Sequence, residues 1–219
     1  FWRAVYDEKV QRADAHFQEF LTEFDKLDLA DRTLFVLTSD HGTELLEHGR
    51  IDHGFTLYEE LLNVPLIITL PGHAERVTIA ERVSSIDIMA TLLDLLDIDA
   101  PDIRRQIRGS SLAPVMQGQP AERPCFAETD YREYTFKRAI ITPDGWKLIL
   151  TLETGARELY HLTTDPDETQ NVCTAHPREA NALEQQLREH FRSIGSDLGG
   201  RPWKPGLNPV YPSQGKPQP

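Results

Sequence analysis

The segment Thr38–Glu60, TSDHGTELLEHGRIDHGFTLYEE, concentrates the residue types that most often carry chemistry. An Asp-His pair, Asp40 and His41, opens the segment, and His48 and His53 follow, each directly before a glycine. A carboxylate oxygen and an imidazole nitrogen that lie side by side can both bind a divalent cation. A further histidine can donate a proton or bind an anionic ester oxygen. One interpretation of the segment is therefore a metal-centred active site.

A second interpretation of the Asp-His pair needs no ligand. Asp40 can cap the turn that follows it, and His41 can hydrogen-bond within the loop. The pair directly follows the apolar run TLFVLTS. This position favours a ligand site, because ligands of parallel α/β sheets bind beyond the carboxyl ends of strands. Gly42 permits a tight backbone in either case. Spacing alone leaves both interpretations open.

The elements around this segment predict an α/β fold. Apolar residues recur about every 3.6 positions from Val5 to Leu27, which indicates an amphipathic helix. The apolar runs 33–39 and 64–70 have the composition of strands covered on both faces. We expect a short helix between these strands and a longer helix after them, with Ser85 as its N-cap. This alternation predicts a mostly parallel sheet with helices.

The second half of the chain has a different character. Pro, Gly and Ser accumulate over residues 101–124 without periodicity, which marks a boundary. Three short runs over 137–162, separated by Pro-Asp-Gly and Glu-Thr-Gly, predict an antiparallel sheet, and a last amphipathic helix begins near Pro177. The predicted parts are an α/β portion over 1–117, a small α+β subdomain over 118–195 and a Pro/Gly-rich extended tail over 196–219.

The composition restricts the partners that this chain can have. Asp and Glu number 35 against 23 Lys and Arg, and the resulting net charge of −12 argues against nucleic-acid binding. No apolar run approaches the roughly 18 residues of a membrane helix, so we expect no membrane span. Cys125 and Cys173 are too few for a disulfide framework and lack metal-ligand spacing. We expect Lys137, Arg138 and Lys147, on the predicted strands, to be solvated surface residues.

Several motifs in succession resemble the C-terminal half of a sulfatase, within the alkaline phosphatase superfamily. They are TSDHG, EHG, DHGFTLYEELLNVPLIITLPG, RGSSLAPVMQG, AIITPDGWKLIL and ELYHLTTDPDETQNV. Together with the final helix, the resemblance extends from about Tyr6 to Ile194. Their order and spacing carry the resemblance more than any single motif does. The resemblance implies a partial alkaline-phosphatase-like α/β domain followed by a small α+β subdomain with an antiparallel sheet.

The resemblance also implies roles for the residues of the opening segment. Asp40 and His41 take the place of a pair of ligands to one divalent metal ion, expected to be calcium, with manganese, magnesium or zinc as alternatives. His53 takes the place of a lysine or histidine that binds the sulfuryl oxygens and helps the leaving group depart. His48, in the EHG turn, is a second catalytic candidate. In a two-metal alternative, His53 would be a ligand to a second cation.

The nucleophile that the resemblance requires is not found in this chain. Sulfatases use formylglycine, made from the first residue of Cys/Ser-x-Pro-x-Arg, and neither Cys125 nor Cys173 begins such a motif. We expect the formylglycine and an upstream Asp-Asp metal pair in an N-terminal half. The chain alone would then be inactive, and its exposed sheet edge would pair with that half or with another copy.

The expected reaction is hydrolysis of a small-molecule sulfate ester. An alternative within the superfamily is hydrolysis of a phosphate or phosphonate ester, or transfer of phosphoethanolamine, because Asp-His pairs also occur in such relatives. An alternative from another class is a non-catalytic interaction module that keeps the half-domain without the chemistry.

Overall fold

The structure is a computed structural model that describes residues 1–72, 76–196 and 198–199. The predicted extended tail, 196–219, lies almost entirely outside the described residues. No helix within them is long and apolar enough to cross a membrane. The helices are α1 (Trp2–Lys26), α2 (Glu59–Leu62), α3 (Asp87–Leu95), α4 (Pro101–Arg104), α5 (Ala113–Met116) and α6 (Pro177–Ser193). The strands are β1 (Phe35–Thr38), β2 (Glu44–Leu45), β3 (Ile51–Asp52), β4 (Leu66–Thr69), β5 (Cys125–Thr129), β6 (Lys137–Ile141), β7 (Trp146–Thr151) and β8 (Arg157–His161).

The described residues form two compact units, each with its own contacts. The first comprises 1–53 and 60–72, and the second comprises 54–59 and 77–196. The boundary that the sequence predicts at residue 117 lies within the second unit and stays a prediction.

The first unit is built on the long helix α1, which the sequence predicts correctly. Three phenylalanines of α1 approach the ring of Phe35 in β1, with centroids 5.9 to 6.3 Å apart. They are Phe17, Phe20 and Phe24. Spacings of three and four residues place them on one face of the helix. This aromatic contact attaches α1 to the first strand, although no residue of α1 is fully buried.

The strands of the first unit do not pair as the sequence predicts. β1 and β4 run antiparallel, with Phe35 opposite Thr69, and all strand pairs in the described part of the chain are antiparallel. A parallel pair needs a crossover of about a dozen or more residues, usually a helix. The connection between β1 and β4 contains instead the short β2–β3 hairpin and α2, a helix of 4 residues. The expectation of a parallel pair is therefore wrong for these two strands.

The second unit carries a four-stranded antiparallel sheet, in the order β5-β6-β7-β8. The three strands and two turns predicted over 137–162 are confirmed, and β5 adds an edge that the sequence did not reveal. Helix α6 begins at Pro177, as predicted, and packs its apolar side on the sheet. The core of this unit includes Ile140, Leu148, Leu150, Leu159, Leu183, Leu187 and Phe191.

The start of α3 differs from the prediction. Ile86, and not Ser85, occupies the N-cap position, and no side chain caps the helix there. The carboxylate of Asp87 instead accepts hydrogen bonds from the backbone N–H groups of Ser84 at 3.3 Å and Ser110 at 2.8 Å. Arg123 also lies 2.8 Å from this carboxylate. The buried carboxylate of Asp87 thus fixes the first turn of α3 to the residues before the helix and to Ser110, and it does not cap the N–H groups of the helix.

His190 gives the second unit a predictable response to acid. Its ring stacks on Phe126, with centroids 3.6 Å apart. Burial lowers the pKa of His190, the charge of Arg108 lowers it further, and Glu128 opposes both. Because the folded-state pKa lies below the unfolded one, the unfolded state binds more protons and stability falls as the pH drops. Between about pH 7.5 and about pH 5.5, urea unfolding should show wild type losing stability relative to His190→Gln. An equal loss in both proteins would contradict this assignment, and His16→Gln on α1 is the control.

Candidate functional site

A tight turn after β1 holds the Asp-His pair against α2. The N–H of Gly42 donates to the carbonyl oxygen of Leu61 at 2.9 Å. A Cβ atom at Gly42 would lie 1.9 Å from the carbonyl oxygen of Glu60, so no larger residue fits without moving the backbone. Glycine at position 42 therefore allows the turn after β1 and the backbone of α2 to approach each other. This approach fixes the backbone positions of Asp40 and His41.

Asp40 and His41 present one oxygen and one nitrogen to solvent. The backbone N–H of His41 donates to Asp40 Oδ1 at 3.0 Å, and this bond, together with the charge of His41, lowers the pKa of Asp40. His41 Nδ1 lies 2.8 Å from the carbonyl oxygen of Gly42, which can only accept. Nδ1 therefore carries the hydrogen, and the lone pair is on Nε2, 3.6 Å from Asp40 Oδ2. The hydrogen bonds expected without a ligand are present, and they leave two donor atoms suited to a cation.

Asp40 Oδ2 and His41 Nε2 can supply two of the ligands that a metal ion needs. Calcium takes about six to eight oxygen ligands, and zinc about four ligands of mixed type. Within the residues that the structure describes, no group of three or more His, Cys, Asp or Glu side chains is arranged to hold a metal ion. Asp40 and His41 would thus need further ligands from outside this set. Their assignment as a metal pair stays a prediction.

The structure places His53 directly beside this pair. Its ring stacks on the ring of His41, with centroids 4.1 Å apart and planes 23° apart. His53 Nδ1 lies 2.7 Å from Asp52 Oδ1, and the His53 side chain is 42% exposed. Asp40, His41 and His53, three of the four predicted site residues, therefore form one exposed group.

His48, the fourth predicted residue, has a close carboxylate partner. Its Nδ1 lies 2.6 Å from Glu60 Oε1, and both side chains are 16% exposed. This contact ties the turn between β2 and β3 to helix α2. A histidine held in this way uses Nδ1 for a structural contact. The catalytic role of His48 stays a prediction.

Two carboxylates of this region were missed in the sequence. Asp52, in β3, contacts His53 and has a φ of 88°. Glu44, in β2, is fully buried and lies opposite Asp52 in the β2–β3 ladder. The repeated Asp-His-Gly in TSDHG and IDHG was a usable signal for Asp52. Nothing in the local sequence indicates that Glu44 is buried.

The expectation of solvated cations on the antiparallel sheet is wrong. Lys147 is fully buried, with Nζ 3.1 Å from Glu59 Oε1 and 2.8 Å from Glu168 Oε1. Arg138 is also buried and pairs with Asp130 at 2.6 Å and with Glu128 at 3.2 Å. Each cation can be buried because two carboxylates compensate its charge.

The Lys147 cluster extends to the start of helix α2. Arg82 Nη1 lies 2.6 Å from the second carboxylate oxygen of Glu59. The backbone N–H of Glu59 donates to Glu168 Oε2 at 2.6 Å. The side chain and the backbone of the first residue of α2 are therefore both fixed within the second unit.

Comparison with known proteins agrees with the motif pattern. The family model for sulfatases matches residues 3–98. The chain is similar to members of the sulfatase family. Mouse arylsulfatase K is 29% identical over 198 residues, which cover 85% of this chain and 35% of that protein. The uncharacterized sulfatase YidJ of Escherichia coli K12 is 28% identical over 208 residues, covering 86% of this chain and 39% of that protein.

A solved sulfatase structure shares the fold. BT4656, in complex with its substrate D-glucosamine-2-N,6-O-disulfate, superposes with a TM-score of 0.69 and 28% identity, covering 85% of this chain and 39% of that protein. These relatives confirm the resemblance that the motifs carry and support an α/β fold of the sulfatase type. This chain spans little more than a third of the length of the curated relatives named above.

Proposed function

We propose that this chain is the C-terminal portion of a metal-dependent sulfatase that hydrolyses small-molecule sulfate esters. The observation that carries the proposal is the exposed group of Asp40, His41 and His53 at the end of β1, in a chain similar to members of the sulfatase family. An oxygen donor, a nitrogen donor and a second imidazole beside them can contribute to binding and cleaving an anionic ester.

The residues of the group have separate roles in the proposed reaction. Asp40 Oδ2 and His41 Nε2 would hold the cation, for which we propose calcium, with manganese, magnesium or zinc as alternatives. A bound cation would supply Lewis-acid polarisation of the ester. Protonated His53 binds a sulfuryl oxygen or donates its Nε2 hydrogen to the departing oxygen as the sulfur–oxygen bond breaks. Neutral His53 remains, with its other hydrogen on Nδ1 and donated to Asp52 Oδ1.

The nucleophile belongs to a part of the enzyme that this chain does not contain. The Cys/Ser-x-Pro-x-Arg motif, from which sulfatases make formylglycine, is absent from the 219 residues. We therefore propose that the chain is inactive by itself. The relatives bear the names of an arylsulfatase and of an enzyme of sulfated glucosamine, so aryl and sugar sulfates are the first substrates to test.

The surface of the first unit fits an incomplete domain. Trp2 and Phe20 of α1 are 46% and 49% exposed, and Ile67 of β4 is 51% exposed. The β1–β4 sheet has two strands, and each has an edge that pairs with no other strand among the described residues. We propose that further strands of the sulfatase domain, or those of another copy, cover this surface.

The experiment that tests the proposal uses the natural polypeptide that carries this chain. Peptide mapping by mass spectrometry should reveal a formylglycine. The polypeptide should hydrolyse an aryl sulfate faster than the matching aryl phosphate, lose this activity in a chelator and regain it with calcium. Asp40→Asn should reduce the rate by about tenfold or more, whereas Asp28→Asn, on an exposed turn, should not.

Other results of the same experiment would favour the alternatives. Faster cleavage of the phosphate ester would support the phosphate or phosphonate reaction, which the nitrogen donor of His41 also suits. Absence of formylglycine, of hydrolysis and of cation binding in a folded polypeptide would leave the non-catalytic interaction module.

A further inference from the structure

We propose that Asp52 is a positioning residue that fixes the imidazole of His53 in the tautomer with its hydrogen on Nδ1. Its part in catalysis rests on the proposed sulfatase reaction, whereas the tautomer can be measured without any substrate. Asp52 is neither a proposed metal ligand nor the proposed proton donor.

The contact between the two side chains defines the tautomer. His53 Nδ1 lies 2.7 Å from Asp52 Oδ1, which is a normal hydrogen-bond distance. An ionised carboxylate can only accept, so the hydrogen lies on Nδ1. A neutral imidazole in water carries its hydrogen mainly on Nε2. Asp52 therefore selects the less common form and reserves Nε2 for a partner on the other side of the ring.

A second contact fixes the plane of the same ring. His53 stacks on His41 with 4.1 Å between centroids. The stack restrains tilting of the ring, and the bond to Asp52 restrains rotation within the ring plane. The side chains of His53 and Asp52 are both accessible to solvent, with exposed fractions of 42% and 65%. An ester could therefore approach an Nε2 atom whose direction is already set.

The backbone of Asp52 provides an independent observation. Its φ of 88° lies where residues with a side chain are strained by roughly 1–3 kcal/mol. Glycine would adopt this conformation without that cost. The ladder position opposite Glu44 needs no side chain at residue 52 to form its backbone pairing. The aspartate thus accepts strain that glycine would avoid, and what it adds is the carboxylate on His53.

Histidine NMR of the ¹⁵N-labelled chain tests the proposal. Long-range ¹H–¹⁵N spectra at about pH 8.5, assigned with His53→Gln, distinguish a protonated Nδ1 from a protonated Nε2. Wild type should show the hydrogen on Nδ1. Asp52→Gly removes both the strain and the acceptor, and should move most of the hydrogen to Nε2. Asp52→Asn keeps an acceptor oxygen and tolerates positive φ, and should retain it on Nδ1.

Asp28→Gly is the matched control, because Asp28 also has a positive φ, of 52°, on an exposed turn of the same unit. It should leave the His53 signals unchanged. A wild-type hydrogen on Nε2, or an Nδ1 hydrogen that persists in Asp52→Gly, would overturn the proposal.

An activity measurement separates this proposal from the proposed function. In the sulfate-hydrolysing polypeptide, Asp52→Gly should lower kcat by at least about tenfold with little change in KM, and Asp52→Asn should restore most of it. An unchanged kcat in Asp52→Gly would remove Asp52 from the reaction. The predicted tautomers in a polypeptide that cleaves no sulfate ester would uphold the positioning of His53 and overturn the sulfatase assignment alone.

Discussion

Replacing Lys147 with methionine should cost this chain about 3–5 kcal/mol in the free energy of unfolding at neutral pH. Lys147 is fully buried, and its ammonium group lies within 3.1 Å of one carboxylate and 2.8 Å of another. Methionine fills a similar volume, so the loss of packing is small. The cost arises because Glu59 and Glu168 would remain buried as anions without the ammonium group that lies between them, while Arg82 still pairs with Glu59.

The pH dependence of this loss has a definite sign. Burial raises the pKa of Glu168, and the charge of Lys147 opposes this without cancelling it. Burial also raises the pKa of Glu59, but Lys147 and Arg82 together outweigh it, so that pKa is lowered. Without Lys147 both folded-state pKa values rise: that of Glu168 moves further above its unfolded value, and that of Glu59 moves up from below its unfolded value. The folded variant then binds more protons than folded wild type does, so the loss is largest at neutral pH and shrinks on acidification.

Urea unfolding followed by circular dichroism at about pH 7.5 and about pH 5.5 measures both effects. Lys137→Met is the control, because the Lys137 side chain, on the neighbouring strand, is 15% exposed and its contact with Glu158 is longer, at 3.8 Å. We expect the control to lose about 1 kcal/mol or less. Adding Glu168→Gln to Lys147→Met should restore part of the stability. A loss below about 1 kcal/mol in Lys147→Met would show that water reaches the two carboxylates.

Elements with strong local signals could be predicted from the sequence. The 3.6-residue period gave α1 and α6, and Pro-Asp-Gly gave the turn between β6 and β7, where Gly145 has a φ of 94°. These signals act within a few residues, so the local sequence is sufficient to predict these helices and this turn. The motif order predicted the similarity to sulfatases and singled out Asp40, His41 and His53, which the structure brings together.

Features that depend on distant residues could not be predicted. The partners of Lys147 are 88 residues before it and 21 residues after it, so its burial is decided by the assembled sheet. The antiparallel pairing of β1 and β4 depends on how the 27-residue connection between them folds. Asp52 was missed for a different reason: the repeated Asp-His-Gly was a usable local signal, but a carboxylate next to a histidine contacts the ring only in certain backbone conformations.

Replacing His53 with alanine should lower kcat for sulfate ester hydrolysis by about 10²–10⁴ in the natural polypeptide that carries this chain. The imidazole is the group beside the proposed metal donors that can both bind a sulfuryl oxygen and donate a proton to the leaving oxygen. Initial rates with aryl sulfates of decreasing leaving-group pKa measure the effect. The loss should be smallest for the most acidic leaving group, because such a group departs without protonation.

His48→Gln is the matched control for this prediction, because His48 lies in the same segment and also contacts a carboxylate, at 2.6 Å. If the Glu60 contact serves mainly structure, His48→Gln should lower the unfolding free energy by about 1–3 kcal/mol and reduce kcat by less than about tenfold. His53→Lys should retain more activity than His53→Ala, because an ammonium group can also bind a sulfuryl oxygen and donate a proton. An equal loss for His53→Ala with every leaving group would limit His53 to binding the sulfuryl oxygens. A larger loss in His48→Gln than in His53→Ala would transfer the catalytic role to His48.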